Sequence, residues 1–135
     1  MGVDVSIRDA LSAHLHSMSP AYPISWENVD FNRPDTIWIE TSVHRDPPAN
    51  TTIGGWPHRT GFFTAVVSGP LDHGTDEIEA IAEAVQAHFP VNTRLPADVP
   101  VLRVRTVPSI DDGYPDAAQW RVPVTIYFES YTKED

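Results

Sequence analysis

Trp120-Arg121-Val122-Pro123-Val124-Thr125-Ile126-Tyr127-Phe128-Glu129 is the stretch that decides the fold. Trp120, Val122, Val124, Ile126 and Phe128 recur at every second position, with Arg121, Thr125, Tyr127 and Glu129 between them. A period of two puts the first set on one face of a β-strand and the second on the other, so the segment reads as a strand packed on a core along one side. Trp120 is expected in that core. Pro123 falls on the outward register and has no N–H for a ladder bond, which points to an edge position or a bulge.

Reading back toward the N-terminus, Pro108–Ala118 holds Asp111-Asp112-Gly113 and reads as a turn region. Val101–Val107 alternates again: Leu102, Val104 and Thr106 share one face, while Val101, Arg103, Arg105 and Val107 share the other. Residues 91–98 read as a linker. Before them, Ile78, Ile81, Ala82, Val85 and Phe89 form a stripe at helical spacing, which predicts a helix over Thr75–Phe89. Thr75 suits its N-cap, and Asp76, Glu77 and Glu79 suit the positive end of its dipole. Pro90 stops it.

Two further strands precede that helix. Thr60–Ser68 is rich in aromatic and β-branched residues. Thr36–Arg45 alternates Ile37, Ile39 and Val43 with Trp38, Glu40, Ser42 and His44. These two are expected to pair antiparallel across the long loop Asp46–His58. Tyr22, Ile24 and Trp26 alternate within the irregular stretch 21–35 and allow a short strand there. The N-terminal segment is a helix, with Ile7, Leu11, Leu15 and Met18 on one face. Ser6 and Asp9 stand at capping-box spacing, and Ser19-Pro20 provides the stop. The order helix, strand, strand, helix, strand, strand is that of an α+β fold: a mixed or antiparallel sheet of about four to five strands with two main helices packed on one face.

The chain has 135 residues, 41% of them apolar and 21% charged, which fits one globular domain over 1–135 and excludes a disordered chain. It has no Cys, so disulfides, thiolate metal sites and Cys nucleophiles are excluded. No apolar run approaches a membrane span, and Met1–Ala10 lacks a signal-peptide core. Nine basic residues against nineteen acidic ones give a formal charge of −10, the wrong sign for a tight nucleic-acid binder or a partner of an anionic membrane.

The motifs that usually carry chemistry fail in turn. The histidines are scattered: His14 and His16 point apart on a helix, and His44, His58, His73 and His88 match no zinc pattern. Asp111, Asp112 and Asp116 lack calcium-loop spacing. Asp72-His73 near Ser68 or Thr75 is no triad without convergence in space, and Gly54-Gly55 opens no phosphate loop. No catalytic, cofactor-binding or metal-binding residue is therefore named, and no cofactor is expected. Contact chemistry is the stronger reading. Arg103, Arg105 and Arg121 are candidates for pairing with carboxylates, either Glu40 or Glu129 of the chain itself or those of a neighbouring subunit, with a phosphate site as the remaining alternative. Trp56, followed by Pro57 and His58, sits in the long loop outside any core periodicity, and either packs back onto its own domain or anchors an interface with a partner.

The order of segments carries a resemblance. SIRDALSAHLHSM at 6–18 is followed by PISWENVDF at 23–31, TIWIETSV at 36–43, the Gly-rich loop, GFFTAVV at 61–67, DEIEAIAEAVQAHFP at 76–90 and VPVTIYFES at 122–130. Across nearly its whole length the chain resembles the tail terminator-like (tail completion) proteins of long-tailed bacteriophages and phage-derived particles. The resemblance implies a virion structural protein with no turnover, assembled in the bacterial host cytoplasm and resident in the virion tail. Its implied partners are copies of itself in a ring, commonly a hexamer, the tail tube protein, the neck or head-completion protein, and genomic DNA as passing cargo. In that setting Asp111, Asp112 and Asp116 become candidates for an acidic lumen lining, and Trp56, Pro57, His58, Arg103, Arg105 and Arg121 for the subunit or tube interface. The alternatives are a tail-tube or neck completion protein, and a small ligand-binding domain or enzyme.

Overall fold

The computed structural model describes residues 3–18, 22–27, 29–32, 34, 36–47, 58–71, 75–97 and 100–130. Among these residues two helices, α1 (Val3–His16) and α2 (Asp76–His88), accompany eight strands. Three strands are long or of middle length: β2 (Trp38–Arg45), β3 (Arg59–Pro70) and β8 (Gln119–Ser130). Five are short: β1 (Ile24–Ser25), β4 (Arg94–Leu95), β5 (Leu102–Val104), β6 (Ser109–Ile110) and β7 (Tyr114–Asp116). The fold is α+β, and the sheet is mixed because β1 runs parallel to β2 while the other pairs are antiparallel.

The expected antiparallel pairing of the two middle strands is present, from Trp38 opposite Ser68 to Arg45 opposite Gly61. β3 then pairs along its whole length with β8. The strand count corrects the expectation of four to five: among the described residues the sheet has eight strands and curls into a half-barrel. The surplus comes from the segments read as a linker and a turn region. One flank of the twelve-residue β8 is filled piecewise by β7, β6 and β5, and β4 adds a further strand to β5. Pieces of two or three residues are too short to show a period of two.

This arrangement explains Pro123. β8 is not an edge, since β3 and β6 flank it. In a strand the N–H and C=O of one residue point the same way. The Pro123 carbonyl accepts from the Asp111 N–H at 2.9 Å, so its missing donor faces the same flank, at the break between β6 and β7. The ladder to β3 loses nothing.

Register assigns the faces. Val122, Val124, Ile126 and Phe128 of β8 lie opposite Val67, Ala65, Phe63 and Gly61 of β3 and share a face with Ile39 of β2. Ile7, Leu11 and Leu15 of α1 and Ile78, Ile81 and Val85 of α2 join them in one buried cluster. Fully burying each such side chain is worth roughly 1.5–3 kcal/mol. Two glycines admit close approach here: a Cβ on Gly61 would sit 2.2 Å from the His44 carbonyl oxygen, and one on Gly69 would sit 2.8 Å from the Ile78 side chain.

The helix ends differ in part from expectation. Thr75 is the N-cap of α2, but its side chain makes no capping bond. α1 begins at Val3, so Ser6 lies inside it and not at the N-cap expected of it. The two C-termini clamp each other. His14 Nε2 donates to the His88 carbonyl at 2.6 Å, His88 Nε2 donates to the His14 carbonyl at 2.7 Å, and the rings stack at 4.2 Å. A carbonyl only accepts, so both Nε2 atoms carry hydrogen.

Candidate functional site

The sheet face turned away from the helices collects most of the polar residues singled out in the sequence. Register lays them in rows across β2, β3 and β8: Trp38, Ser68 and Arg121; Glu40, Val66 and Pro123; Ser42, Thr64 and Thr125; His44, Phe62 and Tyr127. Arg103 extends the next row, opposite Glu129.

At one end of this face Arg121 is the organising group. Its guanidinium lies 2.6 Å from Glu40 and 3.7 Å from Asp116, and 5.6 Å over the Trp38 ring. Trp38, read as facing the polar side, is on that face yet only 4% exposed. Phe31 packs on its ring, and its indole N–H donates to the buried Gln119 side chain at 2.8 Å. Trp120, expected in the core, is half-buried beside it in sequence, with Gly113 laid against its indole.

At the other end Glu129 accepts from Arg103 and stands 3.1 Å from His58 Nε2. Burial raises its carboxyl pKa, but the Arg103 and His58 hydrogen bonds, with the charges behind them, outweigh burial and hold it below the ordinary carboxylate range. Between the two ends His44 stacks on Phe62 at 4.5 Å, and Tyr127 lies 5.8 Å from Phe62, giving a partly exposed aromatic row.

The candidate residues therefore separate. Arg103 and Arg121 are held by carboxylates of their own chain, the in-chain pairing that Glu129 and Glu40 suggested. Arg105 is exposed and has no carboxylate partner among the described residues. Trp56 and Pro57 lie outside the described residues, as do Asp72, His73 and Gly54-Gly55. Asp111, Asp112 and Asp116 are exposed on and between β6 and β7. Asp111 accepts from the Thr125 hydroxyl at 3.2 Å, and Asp116 neighbours Arg121. Among the described residues no three His, Asp or Glu side chains converge as a metal site, and no helix is long and apolar enough to cross a membrane.

Two features escaped the sequence reading. One is an open cleft of about 470 Å³ beside β1 and β2, lined by Trp26, Glu27, Val29, Asp30, Glu40 and Ser42 among others. The other is the exposed Arg94 on β4. Both lie on elements too short or irregular to be placed by periodicity.

What the fold and this surface define is an α+β protein with a curled sheet, on whose polar face Arg103 and Arg121 are paired with carboxylates of the chain itself. Residues 6–128 match the family described as phage tail terminator protein, and the chain belongs to that family. It is a structural protein of the phage tail-assembly class. One solved chain, whose name states no function, is 23% identical, with 98% of this chain and 96% of that one covered and a TM-score of 0.74. Another, from the virion of a native gene transfer agent particle, is 12% identical over 98% of each chain with a TM-score of 0.65. These two likenesses concern the fold. No curated protein matches the sequence.

Proposed function

We propose that this chain is the tail terminator of its particle. Copies close a ring, six in number, on the head-proximal end of the finished tail tube. The ring stops addition of tube subunits and presents the joint for the neck. The observation that carries this reading is the family match, which spans residues 6–128 and so takes in most of α1, all of α2 and nearly all of the sheet.

The charge supports it. Six copies at −10 each carry a formal −60. A lumen lined by Asp111, Asp112 and Asp116 would repel phosphate and let DNA slide, since nonspecific DNA affinity is chiefly electrostatic. The rigid three-strand centre of the sheet, β2, β3 and β8, supplies a wall that holds such a lining in place. Trp56, Pro57 and His58 would contact a neighbouring subunit or the tube. Assembly takes place in the host cytoplasm and the product resides in the tail.

The test is electron microscopy of particles from cells lacking the gene. Overlong, headless tubes are the expected result. Heads without tubes would make the chain a tube component, and normal filled particles would overturn a role in the tail altogether.

A further inference from the structure

The curled sheet has two lateral margins of opposite chemistry. Beyond β2 the open cleft holds three carboxylates: Glu27, Asp30 and Glu40. Arg8 reaches Glu27 and Arg121 reaches Glu40, but no cation reaches Asp30 among the described residues. Each engaged carboxylate keeps lone pairs for a second donor. Val29, between Glu27 and Asp30, is 59% exposed.

The margin at β4 and β5 is the reverse. Arg94 is the cross-strand partner of Arg103, so the two share a face of the sheet. Arg105, two residues beyond Arg103, continues the ladder through its N–H to the Tyr127 carbonyl and returns to that face. Arg103 is neutralised by Glu129, whereas Arg94 and Arg105 are exposed with no carboxylate within reach among the described residues. In a chain of nineteen acidic residues, two neighbouring cations left without a partner are conspicuous. Val91 and Val107, 42% and 63% exposed, flank them.

The margins are separated by the strands β2, β3, β8, β5 and β4, four spacings or roughly 19 Å along the sheet, so one copy cannot bring them together. A second copy can. We propose that the Arg94 and Arg105 margin of one copy docks on the Glu27, Asp30 and Glu40 cleft of the next, with the exposed valines packed between. The contact joins two different surfaces head to tail, so it repeats from copy to copy and closes where the rotation per copy allows. The assignment rests on the ring reading and names the surfaces that would close it. It also answers how a strongly acidic chain can self-associate, because the two cations without a carboxylate partner among the described residues are gathered on one side.

The test reverses charge on one margin at a time, in cells lacking the gene. R94E/R105E and D30R, introduced separately, each place like charges together, and normal-length tails are expected to fall at least about tenfold. All three residues are exposed, and thermal melts of the purified variants check that the fold is kept. R94E/R105E/D30R in one chain sets the two new carboxylates against a new cation at position 30, with Glu27 and Glu40 unchanged, and is expected to recover part of the lost termination. Normal tails with either single-margin variant overturn the assignment, as does a combined variant no better than its parents. Normal particles in the uncomplemented deletion strain would instead remove the ring reading beneath it. A second readout uses the absence of native cysteine: V29C/V107C particles treated with a flexible bis-maleimide should give a ladder of covalent multimers. V29C or V107C alone should not give one. A V29C/V107C chain that stays monomeric overturns the assignment independently.

Discussion

Glu129 sits where β8 meets His58 and β5, and its carboxylate engages Arg103 and His58. Its pKa is raised by burial and lowered more by Arg103 and His58, for a net depression. A carboxylate with a depressed folded pKa contributes stability that is present above its unfolded value and is lost as pH falls through the folded one. E129Q keeps the shape but leaves the Arg103 guanidinium without its anion. It is expected to cost about 1–3 kcal/mol at pH 7, measured by urea unfolding. The gap between variant and parent should close in acid, where the parent carboxyl is neutral as well; a gap that persists there would mean that packing, not charge, is lost. Single residues were the least legible scale in the sequence. Trp38 and Trp120 differ only in register, and both alternations are real. What decides their burial is long-range: Phe31 and Gln119 close over Trp38, and a bare Gly113 backbone covers Trp120.

Elements long enough to show a period were legible: both helices, the β2–β3 pairing and β8 were readable from alternation or helical stripes. The short strands were not, because their existence depends on the free flank of β8 and not on their own composition. The clamp between the helix ends was equally hidden, since His14 and His88 lie 74 residues apart. It gives the elements a pH dependence. His14 has a pKa lowered chiefly by burial, which the hydrogen bond to the His88 carbonyl partly offsets and the nearby His88 ring reinforces. A folded pKa below the unfolded one means that the unfolded chain takes up the proton more readily. Stability is therefore full above the ordinary histidine range near 6.5, and it falls as pH drops from there toward the depressed folded value. H14Q, which can still donate to the His88 carbonyl but does not titrate, is expected to flatten the change in unfolding free energy between pH 7 and pH 5. It should cost about 1 kcal/mol at pH 7 through the lost ring stack. An unchanged slope in H14Q would place the titration elsewhere.

At the scale of the whole molecule the sign of the charge is the property that composition alone made legible, and it carries the last prediction. The formal −10 is unevenly spread: Arg103 and Arg121 are neutralised within the sheet, while Asp111 and Asp112 stand exposed between β6 and β7. If that region lines the channel of the proposed ring, its task is to keep DNA from adhering, and the cost of failing would appear in delivery and not in assembly. D111K/D112K separates the two. Each substitution adds two units of charge, moving the chain from −10 to −6, and Asp116 stays in place beside Arg121. Tails of normal length are expected, because neither residue belongs to the margins proposed to join the copies. Purified wild-type protein should leave duplex DNA unshifted at about 150 mM salt, while the variant retards it with an affinity that falls steeply as salt rises. Particles carrying the variant should package DNA normally and deliver it more slowly, as retained phosphate contacts drag on the moving duplex. Unchanged delivery, together with a variant that binds DNA in solution, would move these carboxylates from the channel to the outer surface of the ring.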